Sequence, residues 1–178
     1  MSWILTARGR HFSYLDPRVE DIDLLDIAQG LANECRFAGH TRAFYSVAQH
    51  AWLTSHIVPA EHALEALLHD AAEAYCKDIP HPLKLLLADY RDIEARVDST
   101  IRAAFNLPLQ MTAAVKRADL ILLATERRDL MPEDDTPWQI LDGIEPLPRR
   151  ITAMQPTRAQ AIFLKRYVEL TTHLRRAA

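Results

Sequence analysis

The sequence predicts an all-α fold on three grounds. Apolar residues recur at three- and four-residue spacing over long segments, which is the period of an amphipathic helix. Prolines fall between these segments, at positions 59, 80, 82, 108, 132 and 137. The chain has 178 residues, of which 49% are hydrophobic, and this is enough for one compact core. We therefore expect a single domain that spans residues 1–178.

Helical periodicity appears in several separate stretches of the chain. The predicted helices lie near residues 23–35, 43–57, 61–77, 89–105, 112–130 and 157–175. Residues 1–22 lack this periodicity, so they are predicted to form a short irregular lead-in to the helical bundle. The stretch 132–148 is rich in proline and acidic residues and is predicted to be a long loop, either a lid or an inert connection.

Composition excludes several classes of function. The net charge of −3 and the pI near 6.2 provide no broad cationic surface, so a nucleic acid is not expected as a partner. The closest glycines, Gly30 and Gly39, are nine residues apart, which leaves no P-loop, no GxGxxG and no GxSxG. We expect no signal peptide and no membrane span, and the two cysteines form no paired motif. These features predict a cytoplasmic protein without a membrane partner.

The helix predicted near 43–57 carries one histidine in an apolar setting. His50 lies to the side of a stripe formed by Val47, Ala48 and Ala51. A single histidine of this kind is more often a core residue than a ligand. On its own, this segment indicates no function.

The helix predicted near 61–77 has two contrasting faces. One face is an apolar stripe at helical spacing, formed by Leu64, Leu67, Leu68, Ala71 and Tyr75. The opposite face carries His69, Asp70 and Glu73 among alanines, with few long charged side chains. This composition indicates that a second surface packs closely against the acidic and imidazole groups. The alternative is an exposed polar face.

The helix predicted near 112–130 places a carboxylate in its apolar arc. Asp119 projects between Ala118 and Leu122, and a carboxylate buried alone there would be costly. It therefore requires a cation, a metal ion or several hydrogen-bond donors. One possible partner is an arginine such as Arg36, Arg42 or Arg117.

A bound metal ion would take its ligands from all three of these predicted helices. His50, His69, Asp70 and Asp119 supply two imidazoles and two carboxylates. This mixed nitrogen and oxygen set suits Mn²⁺, Fe²⁺, Co²⁺ or Zn²⁺ better than Mg²⁺. The sequence therefore predicts a divalent metal ion as cofactor, with these four residues as its ligands.

The pattern H50…H69-D70…D119 resembles that of the HD-domain metal-dependent phosphohydrolases, whose motif lies on an all-α scaffold. The run HDAAEAYCKDIPHPLK, residues 69–84, is similar to the corresponding run of YfbR-like deoxynucleotidases. Arg36-Phe37 resembles the arginine and aromatic pair that this family uses near the substrate phosphate. The resemblance covers about residues 35–127, and small phage and bacterial HD-type triphosphohydrolases share the same core.

The resemblance implies roles for individual residues. Glu73 would be the general base that activates water, or else a hydrogen-bond acceptor for a ligand histidine. Asp78 would act as general acid or bind a sugar hydroxyl. Arg36 and Phe37 would contact the substrate near its phosphate. Lys84 and His81 are weaker candidates for phosphate contacts.

Two departures narrow the choice of branch. Ala74 follows Glu73, where the (p)ppGpp-hydrolysing branch has Glu-Asp, and the chain has no GYP tripeptide of the cyclic-dinucleotide branch. The expected activity is therefore hydrolysis of the 5′-phosphate ester of (deoxy)nucleoside monophosphates. One alternative is a deoxynucleoside triphosphohydrolase that releases triphosphate, and a second is a nucleotide-binding module without turnover. A homodimer or larger homo-oligomer is expected from the family likeness.

Overall fold

The protein is mainly α-helical. A computed structural model describes residues 2–177, with side chains through residue 172. The helices are α1 Leu24–Asn33, α2 Val47–Thr54, α3 Ala63–Leu68, α4 Glu73–Cys76, α5 His81–Lys84, α6 Ala88–Ala104, α7 Ala113–Leu130 and α8 Pro156–Ala177. Within residues 2–177, none of the helices has the length and apolar character needed to cross a membrane.

The N-terminal lead-in differs from the prediction, because it contains a small β-hairpin. Strands β1 (Trp3–Leu5) and β2 (His11–Ser13) pair antiparallel, with Ile4 opposite Phe12. Phe12 is fully buried and its ring stacks on Tyr75 of α4, with 4.1 Å between ring centroids. Three-residue strands are too short to show a clear alternation, so the prediction of an irregular segment was wrong here. The hairpin covers one side of α4 and helps to hold it.

Helix α2 begins later than the predicted segment near 43–57. Ser46 caps the helix by accepting a hydrogen bond from the backbone N–H of Gln49 (3.2 Å). At the first residue of the helix, the N–H of Val47 donates to the carbonyl of Glu34 (3.1 Å), beside an antiparallel bridge that pairs Ser46 with Cys35. The position of His50, one turn into α2, is therefore set by a cap and by a backbone contact with a distant segment.

The segment predicted as one helix near 61–77 is interrupted. Between α3 and α4, the N–H of Ala71 bonds to Leu68 and that of Glu73 to Asp70, each at 3.0 Å and spanning only three residues. This tightened stretch over 69–72 is turn-like rather than α-helical. Helix α5 lies in the proline-containing stretch where no helix was predicted.

One hydrophobic core joins the two ends of the chain. It includes Phe12 of β2, Ile27 and Leu31 of α1, and Phe163 of α8, all of them fully buried. Helix α1 approaches α4 closely, since a Cβ added at Gly30 would stand 2.9 Å from the Cβ of Ala74. Only glycine fits at this helix contact.

Helix α7 is anchored at its start by a buried carboxylate. Glu65 of α3 accepts hydrogen bonds from both the backbone N–H (2.8 Å) and the hydroxyl (2.7 Å) of Thr112. Arg102 of α6 lies 3.8 Å from the same carboxylate, and Glu65 and Arg102 are each 3% exposed. We call Glu65, Arg102 and Thr112 the Glu65 clamp. It joins three helices and sets the start of the helix that carries Asp119.

Candidate metal centre

The four predicted metal ligands come together in the structure. Nε2 of His50 on α2 lies 3.3 Å from Nε2 of His69, 3.2 Å from Oδ1 of Asp119 on α7 and 3.5 Å from Oδ2 of Asp70. Oδ2 of Asp70 is in turn 3.2 Å from Nε2 of His69. Ligand atoms of His50, His69 and Asp119 all lie within 4.8 Å of one another, so this group could hold a metal ion.

The tightened turn explains how two neighbouring residues reach the same point. On a regular α-helix, adjacent side chains diverge by about 100°. His69 and Asp70 lie where the backbone changes from α3 to the 69–72 turn, and their ligand atoms converge there. The prediction that this face packs against a second surface is confirmed, since His69 is 5% exposed and Ala66 is fully buried.

Both histidines are oriented by contacts of their Nδ1 atoms. Nδ1 of His50 lies 2.6 Å from Oε1 of Glu126, and both side chains are fully buried. Nδ1 of His69 lies 2.8 Å from the carbonyl oxygen of Ala66. A carboxylate and a carbonyl are acceptors, so each Nδ1 donates a proton and each Nε2 is directed toward the shared centre. This is the usual arrangement of metal-binding histidines.

Glu126 contacts the candidate site, and no role there was predicted for it from the sequence. It is seven residues after Asp119, about two helical turns, so the two carboxylates lie on the same side of α7. That spacing was the only sign in the sequence that Glu126 could lie near the site. What it could not reveal is that Glu126 would meet His50, which lies 76 residues earlier in the chain.

Arg36 pairs with carboxylates at the edge of the site. Its Nη2 lies 3.2 Å from Oε2 of Glu126, and its Nη1 lies 3.5 Å from Oδ2 of Asp70. The sequence had left open an arginine as the partner of Asp119, but Asp119 contacts the two histidines. Arg36 is 9% exposed, and its Nε has no hydrogen-bond partner.

The charged groups of the site shift one another's pKa values. Burial and Arg36 lower the pKa of His50, but Glu126 and Asp119 outweigh them and raise it to about 9. Burial would raise the pKa of Asp119, yet hydrogen bonds and charges from His50 and His69 hold it far below its usual range. Protonated imidazole therefore lies beside ionised carboxylate at this centre. A divalent cation would take the place of the Nε2 protons.

Glu73 is buried and Asp78 is half-buried, and both carboxyl groups lie close to this centre. Burial raises the pKa of Glu73 well above its usual value, and the charges of Asp70 and Asp78 raise it further. Burial also raises the pKa of Asp78, an effect that the charge of Arg36 opposes. Oε2 of Glu73 is buried without a hydrogen-bond partner. Glu73 is not the acceptor for Nδ1 of His50 or His69, because these atoms contact Glu126 and the carbonyl of Ala66. Raised carboxyl pKa values beside a ligand cluster are typical of groups that exchange protons.

The remaining predicted site residues lie at different depths. Phe37 is half-buried, and the guanidinium carbon of Arg36 lies 5.5 Å from its ring centroid. Nζ of Lys84 donates to Oε1 of Glu94 at 2.7 Å, so its hydrogen bond in the structure is to a carboxylate of α6. His81 is exposed at the start of α5. A phosphate contact by Lys84 or His81 stays a prediction.

The chemistry of the donor set fits a first-row divalent ion. Two imidazole nitrogens and two carboxylate oxygens face one point, and Asp119 retains 33% of its side-chain exposure, so the centre is open to solvent on that side. Mixed nitrogen and oxygen ligands suit Mn²⁺, Fe²⁺, Co²⁺ or Zn²⁺. The residues that would hold the ion are His50, His69, Asp70 and Asp119.

Comparison with known proteins places the chain in a family. No protein-family model matches it. It is 34% identical over 127 residues to an uncharacterized protein of Rhodobacter capsulatus, a match that covers 66% of this chain and 65% of that one. It is 50% identical over 179 residues to the uncharacterized protein YfdR of Escherichia coli K12, and the match covers 100% of both chains. The chain therefore belongs to the family of the Escherichia coli protein YfdR.

Proposed function

We propose that this protein is a divalent-metal-dependent phosphohydrolase of the HD type that removes the 5′-phosphate from deoxynucleoside monophosphates. The observation that carries the proposal is the convergence of Nε2 of His50, Nε2 of His69, Oδ2 of Asp70 and Oδ1 of Asp119 on one centre. These residues come from three separate parts of the chain, and their order matches the motif that the sequence resembles. A helical scaffold carries them, as in that superfamily.

The surrounding residues suit phosphate-ester hydrolysis. A divalent ion held by the four ligands supplies Lewis-acid chemistry, which lowers the pKa of water and draws charge from a phosphoryl oxygen. The charge of the cation would lower the raised pKa of Glu73 and ionise it, so that Glu73 takes the proton from the attacking water through its unpaired Oε2. The bond between phosphorus and O5′ breaks, and Asp78 gives its proton to the departing nucleoside oxygen. The products are the deoxynucleoside and orthophosphate.

The charges near the centre favour a monophosphate over a triphosphate. The cations that the resemblance assigns to the substrate are already engaged, because Arg36 lies between Asp70 and Glu126 and Lys84 is bonded to Glu94. A phosphate monoester brings about two negative charges to the site. The further phosphates of a triphosphate would add negative charge that neither of these two cations is free to balance. We therefore place the monoester first.

Product analysis tests the proposal directly. Metal-free protein is supplied with Mn²⁺ or Co²⁺, incubated with dAMP and separately with dATP, and the products are separated by chromatography. Release of deoxyadenosine and orthophosphate from dAMP supports the proposal. Release of deoxyadenosine and triphosphate from dATP alone would replace it with a triphosphohydrolase. Nucleotide binding without phosphate release under any ion would replace it with a binding module.

A substitution at Glu73 separates catalysis from metal binding. Glu73→Gln keeps the size of the side chain but removes the acceptor for the water proton, so kcat should fall about 10²- to 10⁴-fold. Metal content should stay at the wild-type value. Glu61→Gln, at an exposed position preceding α3, is the matched control and should leave kcat unchanged. Equal loss of metal and activity in Glu73→Gln would show a structural role instead.

A further inference from the structure

Two aromatic side chains face each other next to the metal centre. The ring centroids of Phe37 and Trp138 are 6.3 Å apart, and the rings are inclined by 46°. Both side chains are half-buried. Phe37 directly follows Arg36, whose Nη1 reaches Oδ2 of Asp70 at 3.5 Å. We call Phe37 and Trp138 the aromatic wedge, and it lies on the Arg36 side of the centre.

The backbone that presents Phe37 is in an unusual conformation. Phe37, Ala38 and Gly39 have φ values of 56°, 51° and 81°, so three successive residues adopt the left-handed region. Residues other than glycine rarely do so, and such conformations are concentrated at active sites and ligand clamps. This left-handed turn directs the ring of Phe37 to a position beside Trp138.

The position of Trp138 is fixed by α7. The guanidinium carbon of Arg127 lies 5.0 Å from the ring centroid of Trp138. The same guanidinium donates to the carbonyls of Asp134 (3.0 Å) and Thr136 (2.5 Å), which ties the 132–148 stretch to α7. Arg127 is the residue after Glu126, the acceptor of His50. The long loop therefore places Trp138 beside the site instead of serving as an inert connection.

We propose that the aromatic wedge binds the base of the nucleotide substrate by stacking, with Trp138 as a residue that determines specificity for phosphate esters whose leaving nucleoside carries a base. The proposal rests on the proposed function and extends it to the part of the substrate beyond the phosphate. A base held between two parallel rings needs about 7 Å between them. The ring centroids are 6.3 Å apart at an inclination of 46°, so the rings must become parallel and separate by about 0.7 Å to admit a base. Because every base has a stacking face, the wedge accepts purines and pyrimidines alike.

A pair of substrates isolates the contribution of the base. Deoxyribose 5-phosphate carries the same ester as dAMP but has no base to stack. We expect Trp138→Leu to lower the ratio of kcat/KM for dAMP to kcat/KM for deoxyribose 5-phosphate by about 5- to 100-fold. The change should lie mainly in KM for dAMP. Trp138→Phe, which keeps an aromatic ring, should recover most of the ratio.

The matched control is Trp3→Leu. Trp3 stacks on His11 in the N-terminal hairpin, with 4.0 Å between ring centroids, and its removal should leave the substrate ratio unchanged. An unchanged ratio in Trp138→Leu would overturn the proposal. So would an equal loss for both substrates, because that result would show that Trp138 only supports the fold.

A binding measurement keeps this proposal separate from the proposed function. If the wild-type protein hydrolyses neither ester, the proposed function fails, and the wedge is then tested through the fluorescence of Trp138 in a Trp3→Phe, Trp52→Phe background. Quenching by dAMP but not by deoxyribose 5-phosphate supports the stacking site. No quenching by dAMP overturns it.

Discussion

The Glu65 clamp and the metal centre are both buried polar clusters that join separate helices, but they differ in how their charges are satisfied. In the clamp, the carboxylate of Glu65 has the N–H and hydroxyl of Thr112 as donors and Arg102 as a nearby cation. In the metal centre, the carboxylates of Asp70 and Asp119 face the Nε2 atoms of two histidines across distances of 3.2 to 3.9 Å.

The difference teaches which cluster is complete within the fold and which could accept a ligand. The protein supplies every partner that Glu65 needs, so the clamp is complete without any added group. The metal centre instead concentrates acceptors, and it is balanced only when both histidines are protonated or a cation is bound. Buried acceptors that face one another are costly to a fold, and they are typical of a functional site.

The largest effect that sharpens this comparison is expected from Asp119→Ala. The substitution removes the one ligand supplied by α7, so metal retention after purification and turnover should both be lost. Metal content by mass spectrometry, together with phosphate release from dAMP, checks this. Asp92→Ala, at an exposed position on α6, is the control and should change neither quantity. A variant at Asp119 that kept full activity would remove this residue from the ligand set.

Glu65→Ala is expected to lower the stability of the fold and to leave the metal content unchanged. Removing this carboxylate leaves the buried Arg102 without one partner and the Thr112 N–H without its acceptor, at a cost of about 3 kcal/mol. For a chain of this size, Tm should fall by about 6 to 12 °C, measured by thermal unfolding followed by circular dichroism. Metal content of the folded fraction should be unchanged. Glu65→Gln keeps an oxygen for Thr112 and should cost less, and loss of metal without loss of stability would contradict the assignment.

A smaller effect on metal affinity is expected from Glu126→Gln. The amide replaces the acceptor at 2.6 Å from Nδ1 of His50, so the ring is held less firmly and its Nε2 is a weaker ligand. Residues in this position typically contribute about 10- to 100-fold to metal affinity. Competition against a chromophoric chelator measures the change. An affinity equal to that of the wild type would show that Glu126 serves only to balance the charge of Arg36.

Metal affinity is also expected to depend on pH. The carboxylates of Glu126 and Asp119 outweigh burial and Arg36 and raise the pKa of His50 to about 9, so below that pH a proton competes with the ion at Nε2. Affinity should rise by up to about tenfold per pH unit for each displaced proton and level off above about pH 9. Chelator competition between about pH 6 and pH 10 tests this. An affinity that falls as the pH rises would contradict the sign.

The sequence predicted more of the site's chemistry than of its surroundings. Helical periodicity located α1, α6 and α7 within a few residues, and it predicted the buried face that carries His69. It did not predict the hairpin of β1 and β2, because three-residue strands have no measurable period. Nor did it predict the turn over 69–72, where hydrogen bonds spanning three residues replace those of a regular helix.

By itself, the sequence determined a mainly helical chain that carries two imidazoles and two carboxylates in an order that resembles a known metal-binding motif. The helices follow from local spacing and the motif from residue type and order, which a sequence displays directly. Only the tertiary structure decided that Glu126 orients His50, that Arg36 pairs with Asp70 and Glu126, and that Trp138 lies beside Phe37. These contacts join residues 34 to 101 positions apart, and they depend on how the helices and the long loop pack, which no local pattern encodes.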